Sequence, residues 1–382
     1  MSIQYVVSVL FAPICGHFLD STRYKRLALM FSFLTTAATY LGLTQFDSFG
    51  TVICVLTVQS AISGMYLPGI NSLSLGLVGK EGFAKRATRN EMYRHVGVLM
   101  AGILPMLLIP RVGFHTYFYV CMAMSCFAAL TTLLIDDSKI DHAAARGSDD
   151  QDSSELSGGS NAVTDLVPYR QLLCRRQIML TIASVVIFHL GNAAMLPMTG
   201  QKIDELAHNN DTWISIPGIG EVDGAVGVSL SSVIAEGTAI PVTFVVGRLA
   251  DRGGWGRRRV ALIGFTALPI RGVLLGLTNS IPGLLCIQLL DGVGGAIVGV
   301  IPILMMQDLT SGTGRFSSMQ GGVAAALGLG TAVSQLVAGE IAELAGFSAM
   351  FNSLAGIACV ALLCIVAMKE TKPDWKNNNI EV

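Results

Sequence analysis

The chain has 382 residues, of which 52% are hydrophobic and only 13% charged. A soluble domain is nearer a quarter charged, and a soluble chain this apolar would expose aggregating patches, so the bilayer is its natural solvent. The net charge of −1 offers nothing to nucleic acid, and the eight cysteines show no CxxC or His-paired spacing that would hold a metal or frame disulfides. Walker, HExxH and GxSxG motifs are absent, so neither an enzyme nor a cofactor is expected.

A membrane helix needs about 20 mostly apolar residues. In chain order the sequence predicts eleven: 2–19, 27–45, 51–77, 92–110, 114–135, 177–199, 225–249, 259–278, 282–306, 317–341 and 347–368. The first runs into "GHFLDSTRYKR" (16–26), a polar turn with Gly16, Asp20 and Arg26. Between the fifth and sixth, 136–168 is acidic, rich in Ser and Gly and poor in large hydrophobes, so it is predicted to be a disordered linker. The only sizeable loop on the opposite face, 200–224, carries "NDT" from Asn210, either a glycan acceptor or a chance tripeptide. The seventh span ends in "GRLADRGGWGRRR" (247–259), which echoes the first turn: Gly247 matches Gly16, Asp251 matches Asp20 and Arg257 matches Arg26, with Arg252 next to the Asp.

Basic residues orient the spans. Segments 20–26, 79–94, 136–176, 248–259, 308–315 and 369–382 hold 22 of the 25 Lys and Arg, and they alternate with nearly bare connections. The positive-inside rule places all six in the cytosol, with residue 1 outside and the C-terminus inside. The predicted organisation is a five-helix bundle (1–135), a cytosolic linker (136–172), a six-helix bundle (173–368) and a cytosolic tail (369–382). The membrane is the plasma membrane or an internal one.

With two matched turns and a central linker, the chain resembles the major facilitator superfamily of secondary transporters, over almost its whole length. That family carries a GxLaD(R/K)xG(R/K)(R/K)-type signature between its second and third helices and a relic between the eighth and ninth. The first copy here departs from it at Phe18, Ser21 and Arg23; the second is the better match. The resemblance implies an all-α, polytopic fold of two pseudo-repeated bundles, and a turn that locks the halves in the outward-facing state. The plainer alternative is that the basic residues only set topology and the Asp only caps a helix. The motif comes one helix early, so the first helix of the six-plus-six fold is expected to be missing. The segment 289–322 resembles efflux-like branches. The fifth-helix antiporter signature, GPxxGG, is not met by "GVLMAGILPMLL" from Gly97.

Ionisable groups within spans are costly and mark function. By rise per residue, Arg271 lies about 18 Å from the cytosolic end of its span, His189 at a similar depth, and Asp291 and Glu236 about 14 and 17 Å from the outer face. All four fall in one band near the midplane, where a two-bundle transporter holds its solute. The family's layout favours His189 and Asn192 on its seventh helix and Gln288 and Asp291 on its tenth as cavity groups. Arg271 is either a buried partner of Asp291 or Glu236, or a direct solute contact. Glu236 is either a proton-coupling carboxylate or that partner. His189 is either a core histidine or a cavity ligand. Gln59 reaches the same depth in the first bundle. Glu91, Arg94 and His95 fall at a cytosolic boundary.

The expected function is secondary transport of a small organic solute by alternating access, proton-coupled and efflux-like, by a monomer in lipid. The alternative is an N-terminally truncated, non-transporting protein of the same fold, or an incomplete gene product.

Overall fold

The computed structural model describes residues 2–46, 48–148, 167–210, 215–216, 220–221, 224–251 and 254–372. Its helices are α1 (Ser2–Ser21), α2 (Lys25–Gln45), α3 (Phe49–Ser63), α4 (Tyr66–Leu133), α5 (His142–Arg146), α6 (Tyr169–Leu173), α7 (Arg176–Asn192), α8 (Met195–Asn210), α9 (Gly224–Asp251), α10 (Gly256–Leu277), α11 (Ile281–Thr310) and α12 (Phe316–Val366). One antiparallel pair of two-residue strands, Ser215–Ile216 with Gly220–Glu221, precedes α9.

Eight stretches of described helix are long and apolar enough to cross a membrane, and two of them are far longer than a bilayer is thick. Glycines divide the long ones. Gly79 and Gly113 interrupt α4, and Gly346 interrupts α12, each with φ between 67° and 80°, a conformation that glycine alone adopts without strain. Cut at these points, with α3 continued by the start of α4 and α7 by α8, the helices reproduce the eleven predicted segments, α1 being the first.

Two boundaries differ from expectation. The sixth span does not end at 199; α8 carries it to Asn210. The break between α7 and α8 is tolerated because α12 takes up the freed backbone groups: Ala194 N–H donates to Ser334 Oγ (3.0 Å), and Gln335 Nε2 donates to the Ala193 carbonyl (3.1 Å). The fourth span does not begin at 92. Its helix runs back to residue 80, so the charged stretch 80–91 is its first three turns and not a loop.

The predicted disorder of the linker does not extend to its ends. Asp141 caps α5 through the Ala143 and Ala144 N–H groups, and Gly147 ends it with φ 79°. This short helix bridges both halves of the chain: Asp141 N–H donates to the Gly76 carbonyl (3.0 Å) and Gly312 N–H to the Gly147 carbonyl (2.6 Å). On the other side of the linker, α6 is also helical. Residues 149–166 lie outside the described residues.

The two bundles, α1–α4 and α7–α12, meet along two antiparallel seams. In the first, α1 lies on α12: a Cβ at Gly16 would strike the Ser317 carbonyl, one at Gly321 the Ala12 carbonyl, and one at Gly328 the side chain of Val9. In the second, α4 lies on α9, where Gly247 leaves room for Thr88. Small residues bring helix backbones together in lipid, where packing replaces the hydrophobic effect as the driving force.

Candidate transport site

Three polar constellations sit on or beside these seams. The first is at the face that carries the basic turns. Asp20, 1% exposed, accepts hydrogen bonds from Ser317 N–H (2.9 Å), Ser318 N–H (2.7 Å) and Ser318 Oγ (2.5 Å). A carboxylate on orphaned N–H groups satisfies donors the helix cannot, and it sits at the positive end of the α12 dipole. Asp20 belongs to one bundle and α12 to the other. Beside this cap, Arg315 stacks on Tyr169 (4.3 Å), and the Tyr169 hydroxyl lies 2.9 Å from both His17 Nδ1 and Ser318 Oγ. Arg26, at the end of the same motif, donates to the Ile135 carbonyl (2.6 Å) and stays within its own bundle.

The second turn is built differently. Arg257, 4% exposed, pairs with Asp308 (3.1 Å), donates to the Ala250 carbonyl (2.7 Å), and its N–H is capped by Glu370 (2.7 Å). All these partners lie in its own bundle. Arg252 and the side chain of Asp251 lie outside the described residues, as does the side chain of Asn210.

The second constellation is a knot inside the second bundle. Arg271, fully buried on α10, donates through Nη1 to Asn192 Oδ1 (2.6 Å) and Asp291 Oδ1 (2.8 Å), and through Nη2 to Gln288 Oε1 (2.7 Å). Gln288 in turn donates to the Leu284 carbonyl (3.0 Å). Four predicted residues thus converge, and of the two partners expected for Arg271 it is Asp291 that takes the place. Asp291, 14% exposed, is the ion pair's less buried member.

The third constellation was not foreseen as such. Glu236 on α9 does not reach Arg271. Its Oε2 lies 2.6 Å from His95 Nδ1 on α4, across the second seam. Arg94 Nη2 lies 3.3 Å from the other ring nitrogen, His95 Nε2, while its Nε pairs with Glu91 Oε2 at 2.5 Å. His95 is 2% exposed and Glu91 6%, both buried against the second bundle. The depths agree: His95 is 15 residues into the helix that starts at 80, and Glu236 is 15 residues from the end of α9, each about 22 Å from the basic end. Gly299 of α11 forms the floor, since a Cβ there would lie 2.9 Å from Glu91 Oε2 and 3.4 Å from Arg94 Nη2. The signal available in the sequence was Glu91 and Arg94 at i, i+3 with His95 beside them, leading without a breaker into an apolar run.

The remaining predicted residues stand apart. His189 is half-buried on α7 beside Phe188 (ring centroids 5.5 Å apart), outside the Arg271 knot and within electrostatic range of Arg94. Gln59 faces the Tyr40 hydroxyl inside the first bundle.

The Major Facilitator Superfamily model matches residues 1–236 and 212–382, so both halves are matched. Two curated relatives, uncharacterised MFS-type transporters from two strains of Mycobacterium tuberculosis, are each 33% identical over 372 residues, which is 97% of this chain and 84% of theirs. The human organic anion transporter MFSD10 superposes with a TM-score of 0.67 over 95% of this chain and 82% of its own, at 17% identity, a likeness of fold. The chain belongs to the major facilitator superfamily and is an integral, multi-pass membrane protein of the MFS transporter type.

Proposed function

We propose that this chain, acting as a monomer, moves a small organic solute across the bilayer by alternating access, driven by protons and in the outward direction. The observation that carries the reading is the Asp20 cap. A buried carboxylate of one bundle holds the first turn of a helix of the other, at one end of the molecule only. Such a contact has to break whenever the basic face, cytosolic by its charge, opens. Proton coupling draws support from the His95–Glu236 bridge, a titratable pair shared between the two rocking bodies near the midplane. Outward direction rests on the resemblance of 289–322 to efflux-like branches. The linker and tail are cytosolic on this reading.

The test is transport in proteoliposomes of known protein orientation under an imposed pH gradient, with a panel of organic anions and cations; that the human structural relative is an organic anion transporter is a reason to begin with anions. Solute movement against its own gradient, abolished by a protonophore, is expected. Accumulation that survives collapse of the proton gradient sinks the coupling, and accumulation only toward the cytosolic side sinks the direction.

A further inference from the structure

Arg94 and His95 meet in a way that fixes the position of a proton. A guanidinium only donates, so where Arg94 Nη2 bonds to His95 Nε2, that nitrogen must offer its lone pair. The imidazole proton is then on Nδ1, where it donates to Glu236 Oε2 at 2.6 Å. In this arrangement the bridge has no vacant lone pair on the ring: one nitrogen carries a proton and the other is covered by a cation.

Arg94 is held there by parts of both bundles. Glu91, one turn earlier on α4, takes its Nε, and Gly299 of α11 closes beneath the pair with no side chain between. Rocking the bundles shifts Gly299 relative to α4, so the backbone beneath this pair belongs to one body and Arg94, whose side chain is 46% exposed, to the other. The charged and titratable groups that face His95 are few. On α4 they are Glu91 and Arg94, on α9 Glu236, and on α7 His189, which lies within range of Arg94. The Asp291 of α11 is taken up by Arg271, and Arg315, just ahead of α12, by Val167, Tyr169 and His17.

We infer that Arg94 is a positioning residue: it keeps His95 in the Nδ1–H form while the basic face is closed, and its release from Nε2 is what lets the His95–Glu236 bridge take up the coupling proton. The inference rests on the proton-coupled reading given above and deepens it. The step is a simple protonation. A hydronium ion in the cavity gives its proton to the Nε2 lone pair, water is left, no covalent bond of the protein breaks, and the imidazolium so formed faces the Glu236 carboxylate. Conformation and protonation are thereby linked in both directions, because a proton on Nε2 repels Arg94 and a seated Arg94 excludes the proton.

The measurement needs no solute. Full-length protein in lipid nanodiscs, with its six histidines labelled with NMR-active nitrogen, reports each ring's tautomer, and His95→Gln assigns the signal. Wild type is expected to show a single Nδ1–H tautomer for His95 at mildly alkaline pH. Arg94→Met is expected to admit the Nε2–H tautomer to a comparable share and to produce the doubly protonated ring on mild acidification. Arg94→Lys restores the single tautomer, because an ammonium donates into the same lone pair. Gly299→Ala crowds the end of one flexible side chain, Glu91 Oε2, which holds Arg94, so it is expected to fold and to move the spectrum in the same direction as Arg94→Met by a smaller amount. A wild-type ring in the Nε2–H form overturns the inference, whatever the variants do. So does an Arg94→Met spectrum whose tautomer and pH response match wild type, or a Gly299→Ala spectrum unmoved if Arg94→Met does not fold. Because the tautomer is read without transport, a failure here is separable from a failure of coupled transport in liposomes.

Discussion

The Arg271 knot and the His95–Glu236 bridge use the same materials to opposite ends. Each places a cation, a carboxylate and neutral polar groups near the middle of the membrane. In the knot, Arg271 of α10 finds every partner on α7 or α11, all in one bundle, so the contacts move as a rigid body. In the bridge, α4 and α9 belong to different bundles, so any motion of one bundle against the other acts on the contact. Polar chemistry in lipid therefore does two jobs here, and which job a residue has depends on whether it crosses a seam rather than on its type.

The largest expected effect lies in the knot. Arg271→Met strips three hydrogen bonds at once and leaves Asp291 without its counter-charge. Breaking a buried pair by removing one partner costs about 3–5 kcal/mol. Thermal unfolding of the detergent-solubilised protein should show it, with yield falling in parallel. Replacing Asp291 as well, by Leu, should recover most of the loss, because two apolar groups are cheaper than one stranded charge. A double variant no more stable than the single one would mean that Asp291 faces water and the knot is not a closed unit.

Much of this was legible in the sequence, and the part that was not has a physical cause. Arg271, Asp291 and Glu236 stand out because each interrupts an apolar run, and composition alone flags them. Gly16 and Asp20 were legible from their repeat. Composition gave no means of choosing Asp291 over Glu236 as the partner of Arg271, because pairing across helices is a matter of packing. His95 reads as a boundary residue because a helix that emerges from the bilayer with charged turns looks like a loop; the nearest preceding backbone break is at Gly79, thirteen residues before the predicted start. The second motif is the better match to the family's signature, but the side chain of its Asp251 lies outside the described residues; in the degraded first copy Asp20 reaches the other bundle. The residues the first copy lost, at Ser21 and Arg23, are not the ones that make the contact; Gly16 and Asp20 are.

A second effect, intermediate in size, probes whether contacts across a seam choose conformations. Asp20→Ala removes the cap of α12, a change worth about 1–2 kcal/mol by analogy with other N-caps. That energy is lost only in the state where α1 meets α12, so it shifts the population of closed and open forms about 5- to 30-fold and leaves each bundle intact. A cysteine placed at Ser317, which is fully buried, in a chain freed of its native cysteines, should be alkylated correspondingly faster in the Asp20→Ala background. Arg257→Ala in the second turn, whose partners are all within one bundle, should lower stability without changing that rate. If both variants raise it equally, the two turns are equivalent and the contrast between seam and bundle fails.

The smallest effect on stability should be the most telling about function. Glu236→Gln keeps an oxygen where His95 Nδ1–H can still donate, so the hydrogen bond survives with only its charge assistance lost, a cost of about 1 kcal/mol. What disappears is the negative charge that faces the imidazolium once the bridge takes up its proton. Asp291→Asn makes the same chemical change one helix away, but there the partner is a permanently charged arginine with neutral Asn192 and Gln288 beside it. Loss of the anion leaves that charge uncompensated, so the cost falls on folding. The pair of substitutions therefore separates the two roles. Transport by Glu236→Gln should lose its dependence on pH while the protein melts close to wild type, and Asp291→Asn should melt lower while whatever transport remains keeps its pH profile. The opposite pattern would assign coupling to the knot, and it would mean that the rocking interface is held together by the bridge without sensing protons through it.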